Sequence, residues 1–154
     1  QIFLDGEDIQ EFAANDLRDN FAVVSQEAVL FTGTLYDNLV MRHPQTSFED
    51  VLRACKAVGI HDLIDRLPDG YRTDIGEGGF SLSGDQRQRL VLARALLRPP
   101  RILILDEGLS NLDTADTEKI SQMINSLKGK MTIIYFGQEI PTGLKFDQVV
   151  DLSV

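Results

Sequence analysis

The chain has 154 residues, the length of one domain or of a large part of one. Its hydrophobic content of 43% is sufficient for a packed core and excludes a wholly disordered chain. The formal net charge of −9 argues against bulk binding to nucleic acid or to anionic membrane surfaces. The acidic excess lies in residues 1–77, so anion-binding chemistry is expected in the second half.

Cysteine and histidine are too few for several common kinds of site. Cys55 is the single cysteine, so no intrachain disulfide can form. With His43 and His61 it is also too small a set for an unaided Cys/His zinc site. Clean apolar runs reach about four residues, whereas a membrane-spanning helix needs about 20. The chain starts at Gln1 without a signal peptide, and we expect it to be part of a longer protein.

The first half of the chain predicts a hairpin, a strand and a helix. Residues 2–9 read as two short strands around an Asp5-Gly6 turn, and Phe21–Val24 as a buried strand that ends at Ser25-Gln26. Ser47, with Asp50 three residues later, predicts the start of a helix, and Gly59 suits the end of that helix. The apolar positions of that helix are Phe48, Val51, Leu52, Cys55 and Val58, so Cys55 is interpreted as core packing.

The second half alternates helices with apolar strands. Ser83 and Gln86 predict the start of a helix that ends before Pro99-Pro100. The predicted elements that follow are a strand at Ile102–Leu105, a helix at Thr114–Leu127, a strand at Thr132–Phe136 and a last strand at Val149–Leu152. Strands that are apolar throughout and alternate with helices predict an α/β fold with a parallel sheet covered on both faces.

Two carboxylates follow the strand Ile102–Leu105. Open parallel sheets bind ligands beyond the carboxyl ends of their strands. Asp106 could therefore bind Mg²⁺, which prefers oxygen ligands, while Glu107 could orient or deprotonate a water. Taken alone, the pair is also typical of a solvated helix start.

The segment Leu82–Arg89 is the second candidate site. Ser83 and Gly84 at a helix start would present unpaired backbone N–H groups and the positive end of the helix dipole, which suits phosphate. An ordinary capped helix would have the same sequence, so this segment by itself leaves both interpretations open.

Taken in order along the chain, these segments resemble the ATP-binding-cassette (ABC) ATPase domain. Gln26 matches its Q-loop, Leu82–Gln86 its signature motif, Ile102–Glu107 its Walker B strand and Ser110–Asp113 its D-loop. Two further stretches resemble exporters of this family. Leu30–Leu39 is similar to the segment after their Q-loop, and Gly70–Gly78 to the loop that they press against their transmembrane domains.

The resemblance implies an α/β, P-loop NTPase-like ABC ATPase core that is incomplete, with a helical signature subdomain. Residues 1–154 would form a partial nucleotide-binding domain, with the core sheet region at 1–39 and 101–154 and the helical subdomain at 40–100. ATP and Mg²⁺ would be the cofactors. Gln26 would touch Mg²⁺ and the attacking water, Asp106 would hold Mg²⁺, and Glu107 would be the general base.

The resemblance also implies partners. Ser83, Gly84 and Gln86, with Asp85 between them, would face the γ-phosphate of a nucleotide bound to a second ABC ATPase domain. Ser110 and Asp113 would lie at the dimer seam. The transmembrane domains of an exporter would complete the assembly at the cytoplasmic face of a membrane. We expect the arginines of residues 87–101 to balance nearby acids, and nucleic acid is not an expected partner.

The sequence departs from the family pattern at three places. The phosphate-binding pattern G-x-x-x-x-G-K-[ST] is missing, because the one Gly-Lys pair, Gly129-Lys130, is followed by Met131. We therefore expect this chain alone to bind ATP poorly and to be inactive. Asp85 replaces the second signature glycine, which would set a negative charge against phosphate, and Gln138 falls where the switch histidine is expected. A slowed site is the predicted result.

Two other functions remain open from the sequence. One is the carboxyl-terminal lobe of a chromosome-maintenance or repair ABC ATPase, although no long heptad run flanks the motifs. The other is a degenerate regulatory module that keeps the fold without turnover, which Asp85 and Gln138 favour and Glu107 opposes.

Overall fold

A computed structural model of the chain describes residues 1–27 and 29–152. It begins with an antiparallel hairpin of β1 (Phe3–Leu4) and β2 (Glu7–Asp8). Asp5 and Gly6 join these strands with φ angles of +50° and +90°. Positive φ at both central residues is what a tight hairpin turn requires, so the predicted Asp-Gly turn is confirmed.

A parallel three-stranded sheet carries the site. Helix α1 (Ala14–Asn20) leads into the first of its strands, β3 (Phe21–Ser25). The other elements, in chain order, are β4 (Gly33–Thr34), α2 (Leu35–Val40), α3 (Phe48–Ala57), α4 (His61–Arg66), β5 (Asp74–Ile75), α5 (Gly84–Leu96), β6 (Ile102–Asp106), α6 (Thr114–Asn125) and β7 (Thr132–Phe136). The strand order β3-β6-β7 places β6 in the centre, so its carboxyl end lies between those of two neighbours.

The core lies under one face of this sheet. Val24, Leu103 and Leu105 alternate inward along β3 and β6 and are fully buried. Helix α5 packs on β3 and also contacts α2 and α3. Its buried residues Leu90 and Leu92 join the same core. Helix α5 is thus attached both to the sheet and to the other helices.

The prediction that helices cover both sheet faces is wrong. Val23, Ile104 and Ile134 pair side by side in the register and so share one face. Val23 is 58% exposed and Ile134 is 37% exposed. An apolar run predicts a strand but not what packs on it, and the described helices leave this face uncovered.

Three other predicted features need correction. Val149–Leu152 is not a strand: these residues are exposed and lie outside every described strand, because a strand requires a partner edge as well as β-branched residues. Helix α6 ends at Asn125 instead of Leu127, since the chain turns at Ser126. Phe48 is half exposed and packs edge-on against Tyr71, outside the buried core.

The other predicted helices and strands form with small shifts at their ends. Ser47 accepts a hydrogen bond from the Asp50 N–H and caps α3, and Cys55 is buried in that helix. Gly59 follows the helix with a φ of +75°, the left-handed conformation expected just past a helix end. Within the described residues, no helix has the length and apolar character needed to cross a membrane.

Candidate functional site

The carboxyl ends of the three parallel strands bring two of the sequence-predicted motifs together. Ser25, at the end of β3, lies beside Asp106, at the end of β6. The Gln26 N–H donates to the Asp106 carbonyl over 3.0 Å, and the Glu107 N–H donates to the Phe136 carbonyl over 2.8 Å. Gln26, Asp106 and Glu107 therefore emerge at one edge of the sheet, where ligands of open parallel sheets bind.

Glu107 has an unusual backbone conformation. Its φ of +50° is in the left-handed region, which residues with a side chain seldom adopt. The turn is held by Ser110, whose hydroxyl and N–H both donate to the Glu107 carbonyl, over 2.8 and 3.1 Å. It is also tight, because a Cβ on Gly108 would lie 2.9 Å from the Val24 carbonyl oxygen. Such local strain is characteristic of functional positions.

Glu107 and Gln138 line the same cavity. Its volume is about 350 Å³, and Ser110 and Tyr135 also line it. Gly137 allows the chain to reach Gln138, because a Cβ there would lie 2.5 Å from the Tyr135 ring. Burial raises the pKa of Tyr135, and the negative charge of Glu107 raises it further. Tyr135 was missed in the sequence, where it reads only as an apolar strand residue.

The start of α5 has the geometry predicted for it. The Ser83 hydroxyl accepts from the Gln86 N–H over 3.1 Å, and the Gln86 side chain accepts from the Ser83 N–H over 3.0 Å. This capping box occupies two of the N–H groups that every helix start leaves unpaired. The N–H groups of Gly84 and Asp85 remain for an anion, and the Ser83 hydroxyl can still donate its own proton.

Asp85 does not extend alone from the helix start. Its carboxylate accepts from Arg89 Nε over 2.6 Å, one turn further along α5. Arg89 Nη2 contacts Asp116 of α6 at 2.5 Å, and Nη1 donates to the Val58 carbonyl over 3.0 Å. Burial alone would lower the pKa of Arg89, but its bonds to the two carboxylates give a net increase. The negative charge of Asp85 is thus compensated within the chain.

The two residues predicted for a dimer seam both have local bonds. Ser110 is exposed and holds the Glu107 turn, as described above. Asp113 is exposed and caps α6, with its carboxylate accepting from the Asp116 N–H over 2.9 Å. Both side chains are exposed and could contact a second domain. Their local hydrogen bonds, however, are already a sufficient reason for a serine and an aspartate at these positions.

A hydrogen-bonded link between the motif loops was missed in the sequence. The Asn111 N–H donates to Gln88 Oε1 over 2.9 Å, and Asn111 Nδ2 donates to the Gln26 carbonyl over 3.2 Å. Gln88 is 1% exposed in α5. The signal in the sequence was Gln88 itself, a polar residue among the apolar positions of its helix. Its partner Asn111 is 23 residues away, so the sequence could not identify the bond.

The oxygen ligands at the sheet edge suit a magnesium ion that is shared with phosphate. Asp106 supplies an exposed carboxylate and Gln26 a side-chain amide oxygen. Within residues 1–27 and 29–152, no cluster of three or more His, Cys, Asp or Glu forms a metal site. Mg²⁺ is commonly bound by one or two carboxylates together with waters and substrate phosphates, so two protein oxygens fit it.

Comparison with known proteins identifies the class. The family model described as ABC transporter matches residues 1–110, and the chain belongs to that family. The resemblance to ABC ATPase domains is thereby confirmed. The mixed α/β fold with its parallel sheet is that of the ABC ATPase domain.

The similar proteins are named a flippase, a transporter and an exporter, which confirms the exporter-type resemblance. The chain is 42% identical to the ATP-dependent lipid A-core flippase of Haemophilus influenzae over 151 residues, 97% of this chain and 26% of that protein. It is 38% identical to the mitochondrial iron-sulfur clusters transporter ABCB7 of Rattus norvegicus, over 99% of this chain and 20% of that protein. A solved structure of a bacterial Atm1-family ABC exporter with ATP bound has a TM-score of 0.83 and 35% identity, covering 89% of this chain and 24% of that one. The chain thus spans about a quarter or less of these relatives.

Proposed function

We propose that the chain is part of the ATP-binding and ATP-hydrolysing domain of an ABC exporter. In this proposal, nucleotide drives association with a second ABC ATPase domain, and that association is coupled to transmembrane domains at the cytoplasmic face of a membrane. Residues 1–39 and 101–154 would supply the core sheet region, and residues 40–100 the helical subdomain. The exporter relatives and the site at the sheet edge support this function.

The observation that carries the proposal is the hydrogen bond from Gln26 to Asp106 beside the strained turn at Glu107. Asp106 and the Gln26 side chain would hold Mg²⁺, which supplies charge neutralisation for the transferred phosphoryl group. Glu107 would accept a proton from the attacking water as general base. Gln138, in the same cavity, would donate a hydrogen bond to the γ-phosphate without carrying a charge.

The start of α5 would serve a nucleotide held by the second ATPase domain. The N–H groups of Gly84 and Asp85 and the Ser83 hydroxyl would contact its γ-phosphate, and Gln86 would keep this end rigid through the capping box. Ser110 and Asp113 would lie at the seam. Because the Gly-Lys-Ser/Thr cradle is missing from residues 1–154, these residues alone would bind ATP weakly and be inactive.

The decisive experiment removes the proposed base. In the native polypeptide that carries these residues, Glu107→Gln should lower ATP hydrolysis by a factor of about 10² to 10⁴ while ATP binding persists. Glu118→Gln, on the exposed side of α6, is the matched control and should leave the rate within twofold. Unchanged hydrolysis in the Glu107 variant would exclude this residue as the base.

A degenerate regulatory module is the second candidate function, and Asp85 with Gln138 favours it. We infer a slowed site in preference to a dead one, because Arg89 compensates the charge of Asp85 and Glu107 is retained. Asp85→Gly combined with Gln138→His should raise the hydrolysis rate of the native polypeptide. If the double variant hydrolyses no faster, the attenuation is wrongly assigned to these positions.

A further inference from the structure

The start of α5, the loop after β3 and the loop after β6 meet at Asn111. The Asn111 side chain donates to the Gln26 carbonyl, and its N–H donates to the Gln88 side chain. A Cβ added to Gly84 would lie 3.8 Å from the Asn111 side chain, so the first turn of α5 passes close to it. One residue therefore contacts both segments that the proposed function assigns to nucleotide.

Gln88 is built for this contact. It is fully buried in a helix whose neighbouring inward positions, Leu90 and Leu92, are apolar. Its Nε2 has no acceptor within the described part of the chain. Burying an amide with an unpaired donor is unfavourable, so packing alone would favour leucine or methionine here. The bond from the Asn111 N–H to Gln88 Oε1 is the contact that accounts for glutamine.

We propose that Asn111 and Gln88 are positioning residues that couple the start of α5 to the Gln26 loop within one chain. This inference rests on the proposed function, in which Gln26 serves the nucleotide of its own chain and α5 serves the nucleotide of the partner domain. A shift of α5 on its nucleotide then moves Asn111, and Asn111 moves the Gln26 carbonyl. The link joins the two nucleotide sites through two hydrogen bonds.

The first test needs no nucleotide and uses amide hydrogen exchange on the native polypeptide. Asn111→Ala removes the bond to the Gln26 carbonyl, and Gln88→Met removes the acceptor of the Asn111 N–H while conserving side-chain volume. In each variant the Gln26 amide and the amides of residues 87–89 should both exchange about threefold to tenfold faster, the range expected for one hydrogen bond. Loosening of only one segment, or equal acceleration in β6, refutes the link.

The chain offers a matched control in Asn125. Its side chain also joins two backbone segments, donating to the Gly143 carbonyl over 2.8 Å and accepting from the Lys145 N–H over 3.0 Å. It lies at the end of α6, away from the motif loops. Asn125→Ala should speed exchange at Lys145 and leave residues 26 and 87–89 within twofold of the parent.

The second test separates positioning from stability. In the native polypeptide, Asn111→Ala should lower the kcat for ATP hydrolysis about tenfold and leave KM within twofold, because it misplaces Gln26 without removing a nucleotide contact. A normal kcat in this variant would overturn the positioning role. A parent polypeptide that hydrolyses no ATP would instead refute the proposed function, while the nucleotide-free exchange still decides the link.

Discussion

Among the charged residues described at the site, Arg89 makes the largest number of bonds to other segments. Its side chain is 12% exposed and bonds Asp85, Asp116 and the Val58 carbonyl, on three separate segments. Removing one partner of a buried ion pair leaves the others uncompensated. Arg89→Met should therefore lower the free energy of unfolding by about 2 to 3 kcal/mol. This is less than the loss of a fully buried ion pair would cost, because both acids are partly exposed. Urea denaturation measures this directly.

Arg53 provides the comparison for that experiment. It too contacts two acids, Glu49 and Asp50, but it is 71% exposed, so solvent screens both pairs. Arg53→Met should change the unfolding free energy by less than about 0.5 kcal/mol. Equal costs for the two substitutions would mean that Arg89 contributes no more than an ordinary surface arginine.

The buried thiol of Cys55 makes the free energy of unfolding depend on pH in the alkaline range. Burial raises the pKa of its thiol from 9.0 to about 11, although a hydrogen bond with Tyr71 opposes the shift. Between these values the unfolded chain loses the proton and the folded chain keeps it. Stability is therefore complete below pH 9 and falls above it, by up to about 1.4 kcal/mol per pH unit until pH 11.

Unfolding curves at pH 8, 9 and 10 measure this loss. The variant Cys55→Ser lacks this thiol, so its stability should fall less than that of the parent between pH 9 and 10, even if its stability at pH 8 is lower. A parent and a variant with equal slopes would show that the thiol does not ionise differently in the two states.

Helices α2 and α5 both begin with a capping box but have different predicted roles. Thr34 with Asp37 and Ser83 with Gln86 each form a complete capping box. Thr34→Ala and Ser83→Ala should each lower the unfolding free energy by about 1 kcal/mol, read from thermal denaturation. Under the proposed function, only the Ser83 variant should also weaken ATP-dependent association with the second ATPase domain. A similar weakening by Thr34→Ala would assign the effect to stability.

The elements that the sequence predicted best are those with side-chain start signals. Ser83 with Gln86 predicted the start of α5, and Ser47 with Asp50 predicted the start of α3. Helices α1 and α4 begin just after the N-cap residues Ala13 and Ile60, which form no side-chain cap, so no such pattern marked them. Val149–Leu152 had strand composition but lies outside every described strand, and composition says nothing about pairing.

The same limit applies to the candidate site. The family pattern identified Gln26, Asp106 and Glu107, because their order and spacing are local properties of the sequence. The contact of Asn111 with Gln88 joins residues 23 positions apart, and that with Gln26 joins residues 85 apart. The pairing of Asp85 with Arg89 has helical spacing and could have been anticipated, but its extension to Asp116 depends on how α5 meets α6.

At the scale of the whole molecule, the sheet has one buried and one exposed face. The exposed face carries the row of Val23, Ile104 and Ile134, and Phe136 at the end of β7 is also half exposed. Contiguous apolar surface of this kind favours association and binding of hydrophobic dyes. The net charge of −9 opposes association through long-range repulsion, which salt screens.

These opposing effects predict how a polypeptide of residues 1–154 behaves in solution. Its sedimentation coefficient should increase with salt, because screening removes the repulsion while the apolar face remains. Val23→Thr with Ile134→Thr should reduce both this increase and the fluorescence of a bound hydrophobic dye, since threonine keeps strand preference and removes apolar surface.

Val51→Thr, at a fully buried position of α3, is the contrasting variant. It should lower the unfolding free energy by 1 kcal/mol or more through an unpaired buried hydroxyl. Because Val51 contributes nothing to the exposed row, association that falls equally in both variants would mean that the sheet face does not drive it.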